Sequence, residues 1–107
     1  MKKSTPIKGL FFDEIRRGVK DVEYRENTER NRAIFCDKEL THIVFHQYRA
    51  DRLECRVKSA KVIKVPKAVL HLWQLVYPGQ KDCIAIKISH PRYYVDMSGK
   101  SKTVLWA

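Results

Sequence analysis

Apolar and polar residues recur along this chain with two different periods, which divide it into helices and strands. The stretch LFFDEIRRG places its apolar residues at helical spacing and stops at Gly18, a residue that favours the end of a helix. The next stretch, KDVEYRE, alternates as a strand does. Val22 and Tyr24 therefore share one face of that strand, and Glu23 and Arg25 share the other.

The same reasoning predicts further elements along the rest of the chain. They are a marginal helix over NTERNRAIF with Thr28 as its cap, a strand over THIVFHQY, a strand over RLECRVKSAKVIKV with a kink at Ser59, a helix over KAVLHLWQLVY following Pro66, and a strand over CIAIKIS. We expect Trp73, on the apolar face of the second long helix, to lie in the core. The segments YYVDM and TVLWA predict a terminal hairpin that turns at residues 98–100.

This order of elements indicates an α+β fold. With a short extended segment at its start, the chain reads β-α-β-α-β-β-α-β plus the hairpin. Consecutive strands without regular crossover helices favour a mixed, curled sheet or a small barrel with two to three flanking helices. The length of 107 residues suits one domain spanning residues 1–107.

The charge of the chain is its strongest global property. Its 22 Lys and Arg residues face 12 Asp and Glu residues, which gives a formal net charge of +10. Such a field attracts polyanions, so RNA or a nucleotide is the partner that we expect. Two alternatives stay open: part of the excess charge serves solubility, or the domain is structural and its charge incidental.

Several other classes of protein or site are not expected. Three separated cysteines without a CxxC pair predict reduced, mostly buried thiols rather than a zinc site or a disulfide framework. His42 and His46 share a strand face but lie about 13 Å apart along it, too far to hold one metal ion. We expect no metal, no cofactor, no membrane partner and a cytoplasmic location. The oligomeric state stays open.

Two groups of residues are candidates for binding. In the first, Lys20 stands beside Glu23 and Arg25, and an ammonium next to a guanidinium suits a phosphate or a base. In the second, HQYRADR interleaves aromatic rings with Arg49 and Arg52, which suits stacking and phosphate contact. Ordinary surface ion pairs and a polar loop are the respective alternatives.

Aromatic residues near the end of the chain are a weaker candidate. Tyr93 and Tyr94 point to opposite faces if the chain there is extended, so one of them could meet a base while the other packs in the core.

The stretch FFDEIRRGVKDVEYRE resembles the ASCH domain, a branch of the PUA-like superfamily. Gly18, Lys20, Glu23 and Arg25 match the fixed positions of its G-x-K-x-x-E-x-R motif. Downstream, THIVFHQYR, LECRVKSAKVIKV and YPGQKDCIAIKIS resemble later strands of the family in the same order. The resemblance covers about residues 5–90 and leaves about residues 91–107 as a C-terminal extension.

The resemblance implies a small β-barrel with flanking helices, and a cleft lined by the motif strand that binds RNA or a nucleotide. Some members of the family are enzymes that hydrolyse N4-acetylcytidine or cut RNA without a metal. Lys20 holds the place of the hydrolase lysine, Glu23 stands where the hydrolase has threonine, and Asp82 is the acid nearest the place of its later glutamate. If this chain is an enzyme, Lys20 and Glu23 are its expected catalytic pair, although a carboxylate beside a lysine favours the charged ammonium and hence binding.

Overall fold

The computed structural model describes residues 1–47, 50–97 and 101–106, and for residues 97 and 101–106 it describes the backbone alone. The strands are β1 (Lys2–Pro6), β2 (Val22–Glu26), β3 (His42–His46), β4 (Asp51–Lys64), β5 (Asp82–Ile88), β6 (Arg92–Met97) and β7 (Ser101–Trp106). The helices are α1 (Gly9–Arg16), α2 (Glu29–Phe35) and α3 (Lys67–Val76). The predicted order of elements is confirmed, including the paired strands of the terminal hairpin. The predicted turn of that hairpin, at residues 98–100, lies outside the described residues.

All of these strands belong to one mixed sheet. Its main order is β1-β3-β4-β5-β2, and β6 pairs with β4 and with β7. The pair β1–β3 is parallel, and the other pairs are antiparallel. The fold is therefore α+β with a mixed sheet, as predicted.

The sheet is not closed into a barrel, so that part of the fold prediction is wrong. β1 and β2 lie at opposite ends of the main strand order, and within the described residues no backbone pairing joins them. Pro6 has no N–H to donate to such a pairing. The side chain of Arg25 crosses the opening instead and donates a hydrogen bond of 3.1 Å to the Pro6 carbonyl.

The long strand β4 connects the two halves of the sheet. Its first half pairs with β3 and β6, and its second half pairs with β5. The register shifts between Val57 and Ser59, which confirms the predicted kink at Ser59. Such a bulge bends a strand and strengthens its twist.

The core lies between α1, α2 and one face of the sheet. Its largest fully buried side chains are Phe45, Ile15, Ile43, Leu53, Ile84, Ile86 and Cys55. In α1, Phe12 is buried beside Ile15, whereas Leu10 and Phe11 are 68% and 37% exposed. The apolar spacing predicts that Leu10, Phe11 and Ile15 share the buried face, so the observed buried face is rotated from the predicted one and Phe11 is left at the surface.

Helix α3 packs less deeply than predicted. It contributes no buried residue, and Trp73, which we expected in the core, is half-buried. Leu72 and Leu75 are more than half exposed. No described helix is both long enough and apolar enough to cross a membrane.

The cysteines follow the prediction of reduced, mostly buried thiols. All three are free, Cys55 and Cys83 are buried, and Cys36 is half-buried. Burial raises the pKa of the Cys55 thiol to about 12. This thiol therefore stays protonated at neutral pH and is a poor nucleophile.

Candidate functional site

A glycine turn at the end of α1 fixes the position of Lys20. Gly18 has a φ of +76°, a left-handed conformation that strains residues with a side chain. Its amide donates to the Ile15 carbonyl, and the amides of Val19 and Lys20 both donate to the carbonyl of Glu14. The backbone of Lys20 is thereby tied to the last turn of the helix immediately before β2 begins.

The charged face of β2 points toward the core side of the sheet. Glu23 lies opposite Ile86 of β5, and Arg25 lies opposite Ile84. Side chains that face each other across antiparallel strands share one side of the sheet, and both isoleucines are fully buried. Glu23 is therefore only 5% exposed, although it is charged.

Lys20, Glu23 and Arg25 meet at the Glu23 carboxylate. Its Oε1 lies 3.5 Å from the Lys20 Nζ, and its Oε2 lies 3.0 Å from the Arg25 Nη2. The side chains of Lys20 and Arg25 are 17% and 21% exposed. We call these three residues the ion cluster. The sequence placed them on one strand and its preceding bend, and the structure brings them together.

The Arg25 guanidinium is largely committed to bonds within the protein. Besides Glu23, it donates from Nη1 to the Thr5 Oγ1 at 3.3 Å and from Nη2 to the Pro6 carbonyl. Its Cζ also lies 5.5 Å from the centre of the Phe35 ring of α2. Arg25 thus ties the open edge at β1 to β2, a role that the sequence did not indicate.

The Lys20 ammonium has fewer partners and lies near two aromatic rings. Its Nζ is 5.1 Å from the centre of the Phe11 ring and 5.4 Å from that of Tyr24. An ammonium has three donors, and within the described residues Glu23 is its ion-pair partner. Lys20 therefore retains donors for a ligand, beside two rings that are not fully buried.

A cleft of about 550 Å³, lined in part by Arg25, opens between β1, β2 and α2. Its lining includes Thr5, Arg25, Arg30 and Asn31, with Glu26 as its acidic member. Arg30 is exposed, so it can move toward an anion. Lys20 does not line this cleft, so the ammonium and the cleft do not form one pocket.

The second predicted group does not join the ion cluster. Arg49 lies outside the described residues. Arg52 lies near the start of β4, opposite His46 and Tyr94, and donates to the Asp51 carbonyl at 3.0 Å. The row of the sheet that contains Glu23 crosses β4 at Ala60. Ala60 lies eight residues, or about 26 Å of strand, from Arg52 along β4.

Tyr93 and Tyr94, in the predicted terminal hairpin, are both buried. Tyr93 and Tyr94 are 8% and 5% exposed, so the expectation that one of them is open to a base is wrong. The Tyr93 hydroxyl donates to the Asp51 carboxylate, and the Arg16 Cζ lies 4.0 Å from the centre of the Tyr93 ring. The bond to Asp51, together with burial, raises the pKa of Tyr93.

A separate group of ion pairs around Glu54 of β4 was not predicted from the sequence. The Glu54 carboxylate accepts from the Lys2 Nζ at 3.0 Å and from the Arg92 Nη2 at 3.1 Å. Burial acts to raise the pKa of Glu54, but the Lys2 hydrogen bond and the charges of Arg92 and Lys2 outweigh it and lower that pKa. Only the pairing of distant strands could reveal this group, because its members are scattered along the sequence.

The lowered pKa of Glu54 predicts a pH dependence of stability. Its contribution is present above the ordinary carboxyl pKa of about 4.5 and is lost as the pH falls through the lower folded-state value. We expect wild type to be more stable than Glu54→Gln at pH about 7, and the difference to shrink below pH about 4.5. Urea denaturation at several pH values measures both proteins. A difference that stays constant with pH would contradict this assignment.

Among the described residues, no group of His, Cys, Asp and Glu has an arrangement that could hold a metal ion. No protein-family model, curated protein or solved structure matches this chain. The features of the chain that bear on function are therefore the geometry of the ion cluster and the net charge of +10.

Proposed function

We propose that the chain is an RNA- or nucleotide-binding protein of the PUA-like, ASCH type and that its ligand meets the Lys20 ammonium. The observation that carries the proposal is the position of that ammonium, anchored by a buried carboxylate and near the rings of Phe11 and Tyr24. An ammonium with spare donors supplies a contact for a phosphate or a base oxygen. The neighbouring rings offer apolar faces on which a base can stack.

The charge of the surroundings supports the same ligand class. The net charge of +10 favours polyanions over neutral or cationic ligands. The cleft at Arg25 adds the exposed guanidinium of Arg30, which is suited to a phosphate of the same ligand. In this proposal Gly18 and Glu23 position the ammonium, and Arg25 holds the edge of the cleft. Arg52 could reach only a distant part of a longer RNA.

Replacing Lys20 by methionine tests this function. The variant keeps the aliphatic stem and loses the charge, so we expect affinity for a short labelled RNA to fall about tenfold or more, as for a lost hydrogen bond to a charged group. Fluorescence anisotropy at two salt concentrations measures the effect. Lys38→Met is the matched control, because Lys38 is also a lysine but is exposed and distant in sequence. Equal affinities of the two variants would contradict the assignment.

The second candidate function is hydrolysis of a modified nucleoside or of RNA. The contact of 3.5 Å between Lys20 and Glu23 favours it, because an ammonium and a carboxylate are then in reach of one bound group. Asp82, the acid nearest the place of the family's later glutamate, lies four residues along β5 from Ile86, or about 13 Å. Incubation with N4-acetylcytidine and with labelled RNA tests this function. Turnover by wild type but not by Lys20→Met would establish it, and no turnover would exclude it for these substrates.

A further inference from the structure

The face of the sheet opposite the ion cluster carries a second group of basic and aromatic side chains. Strand pairing sets Lys61 of β4 opposite Ala85 of β5, and Ala85 opposite Tyr24 of β2. In the neighbouring row, Lys87 of β5 lies between Ser59 and Val22. Because residues opposite one another share a side of the sheet, both rows lie on one face. We call this surface the outer face.

The lysines of the outer face are not neutralised. Lys61 and Lys87 are exposed, and within the described residues neither forms an ion pair. The alternation of β2 places Glu26 on this face too. Glu26 lies opposite Cys83, two residues along the strand from Tyr24 and on the side away from Val22 and Lys87. Two ammonium groups therefore face solvent on a surface whose centre holds a small residue and a tyrosine.

Tyr24 connects this surface to the ion cluster. Its ring is half-buried, and the Lys20 Nζ lies 5.4 Å from the ring centre. The ammonium at the proposed ligand site and the outer face are thus joined through one aromatic ring. A ligand that starts at Lys20 can continue past Tyr24 toward Lys61 and Lys87. The acids beside this path are Glu26 and the exposed Asp21, which directly follows Lys20.

We propose that the outer face is a track for single-stranded RNA that extends from Lys20 across Tyr24 to Lys61 and Lys87. A ring flanked by ammonium groups matches a strand whose bases are free to stack and whose phosphates lie at the sides. A duplex fits less well, because its bases are already stacked on each other. This inference rests on the proposed function and adds to it a second contact region, which only a longer RNA reaches.

Length-dependent binding is the test. Labelled oligouridines of about three and about twelve nucleotides are the probes: the first is shorter than single-strand site sizes of about 4–16 nucleotides, and the second lies within them. Fluorescence anisotropy over a series of salt concentrations measures their affinities. For Lys61→Ala/Lys87→Ala we expect weaker binding of the long probe. Its slope of log affinity against log salt should become shallower by about 1.4, since each phosphate contact to a single strand contributes about 0.7. Binding of the short probe should be unchanged.

The control variant is Lys38→Ala/Lys67→Ala, which removes the same charge from two exposed lysines elsewhere. An equal loss in both double variants, or a loss for both probes, would overturn the track. If wild type binds the two probes equally well, the proposal of a track is contradicted, whereas the proposed site at Lys20 is not. If wild type binds neither probe, the proposed function and the track both fail.

Discussion

Replacing Glu23 by alanine is expected to destabilise the protein by about 3–5 kcal/mol, because it leaves two cations poorly compensated at a buried site. Lys20 and Arg25 both meet this carboxylate, which is 5% exposed. Glu23→Gln should cost less than alanine, since the amide oxygen still accepts a hydrogen bond. Urea denaturation, extrapolated to water, measures the free energy of unfolding of each variant.

The matched control for this substitution is Glu29→Ala. Glu29 is exposed at the start of α2, and surface substitutions usually change the free energy of unfolding by no more than about 0.5 kcal/mol. If Glu23→Ala were as stable as Glu29→Ala, the carboxylate would not be compensating the two cations, and the ion cluster would have no structural role.

Replacing Arg25 by alanine is expected to destabilise the protein by about 3 kcal/mol or more and to loosen β1. The substitution removes the hydrogen bonds to Thr5 and Pro6 across the open edge of the sheet, and it also strips Glu23 of its closer cation. Hydrogen–deuterium exchange should therefore speed up in the peptide that covers residues 2–7. Exchange in β5, which is paired on both sides, should change less.

Two further variants separate the roles of Arg25. Arg25→Lys restores a positive charge for Glu23 but lacks the planar fork that reaches two acceptors, so it should regain part of the stability while β1 still exchanges fast. Arg30→Ala removes an exposed guanidinium from the same cleft and should change neither quantity. Slow exchange of β1 in Arg25→Ala would show that its pairing with β3 alone holds the edge.

The local parts of the site followed from the sequence. The helix stop at Gly18 and the shared face of Glu23 and Arg25 depend on short-range rules of turn geometry and strand alternation. Alternation separates the two faces of a strand, but it does not tell which face is buried. Hydrophobicity alone would turn Val22 and Tyr24 inward, whereas pairing with β5 turns Glu23 inward.

The predictions that were wrong concern features that depend on contacts between residues distant in sequence. Closure of the sheet is decided where β1 meets β2, and the bond from Arg25 to Pro6 that replaces a backbone pairing has no local pattern. The separation of Arg52 from the ion cluster follows from the length of β4, whose two halves pair with different strands. Neither feature could be predicted from the spacing of apolar and polar residues along the sequence.

The buried charges of the ion cluster are better understood as positioning than as a source of stability. Removing a carboxylate from water costs several kcal/mol, and the attraction of its partners does little more than offset that cost. The arrangement does hold the Lys20 ammonium at one place beside the rings of Phe11 and Tyr24. A fixed ammonium loses less side-chain entropy when a ligand binds, which favours affinity.

The most direct test of this role is to follow the backbone amide signals of isotope-labelled protein by NMR while a short oligouridine is added. We predict that the largest shifts occur at Phe11, Lys20 and Tyr24, and that they are lost in Lys20→Met. Shifts confined to a distant element such as α3, or no shifts at saturating RNA, would contradict binding at the Lys20 ammonium.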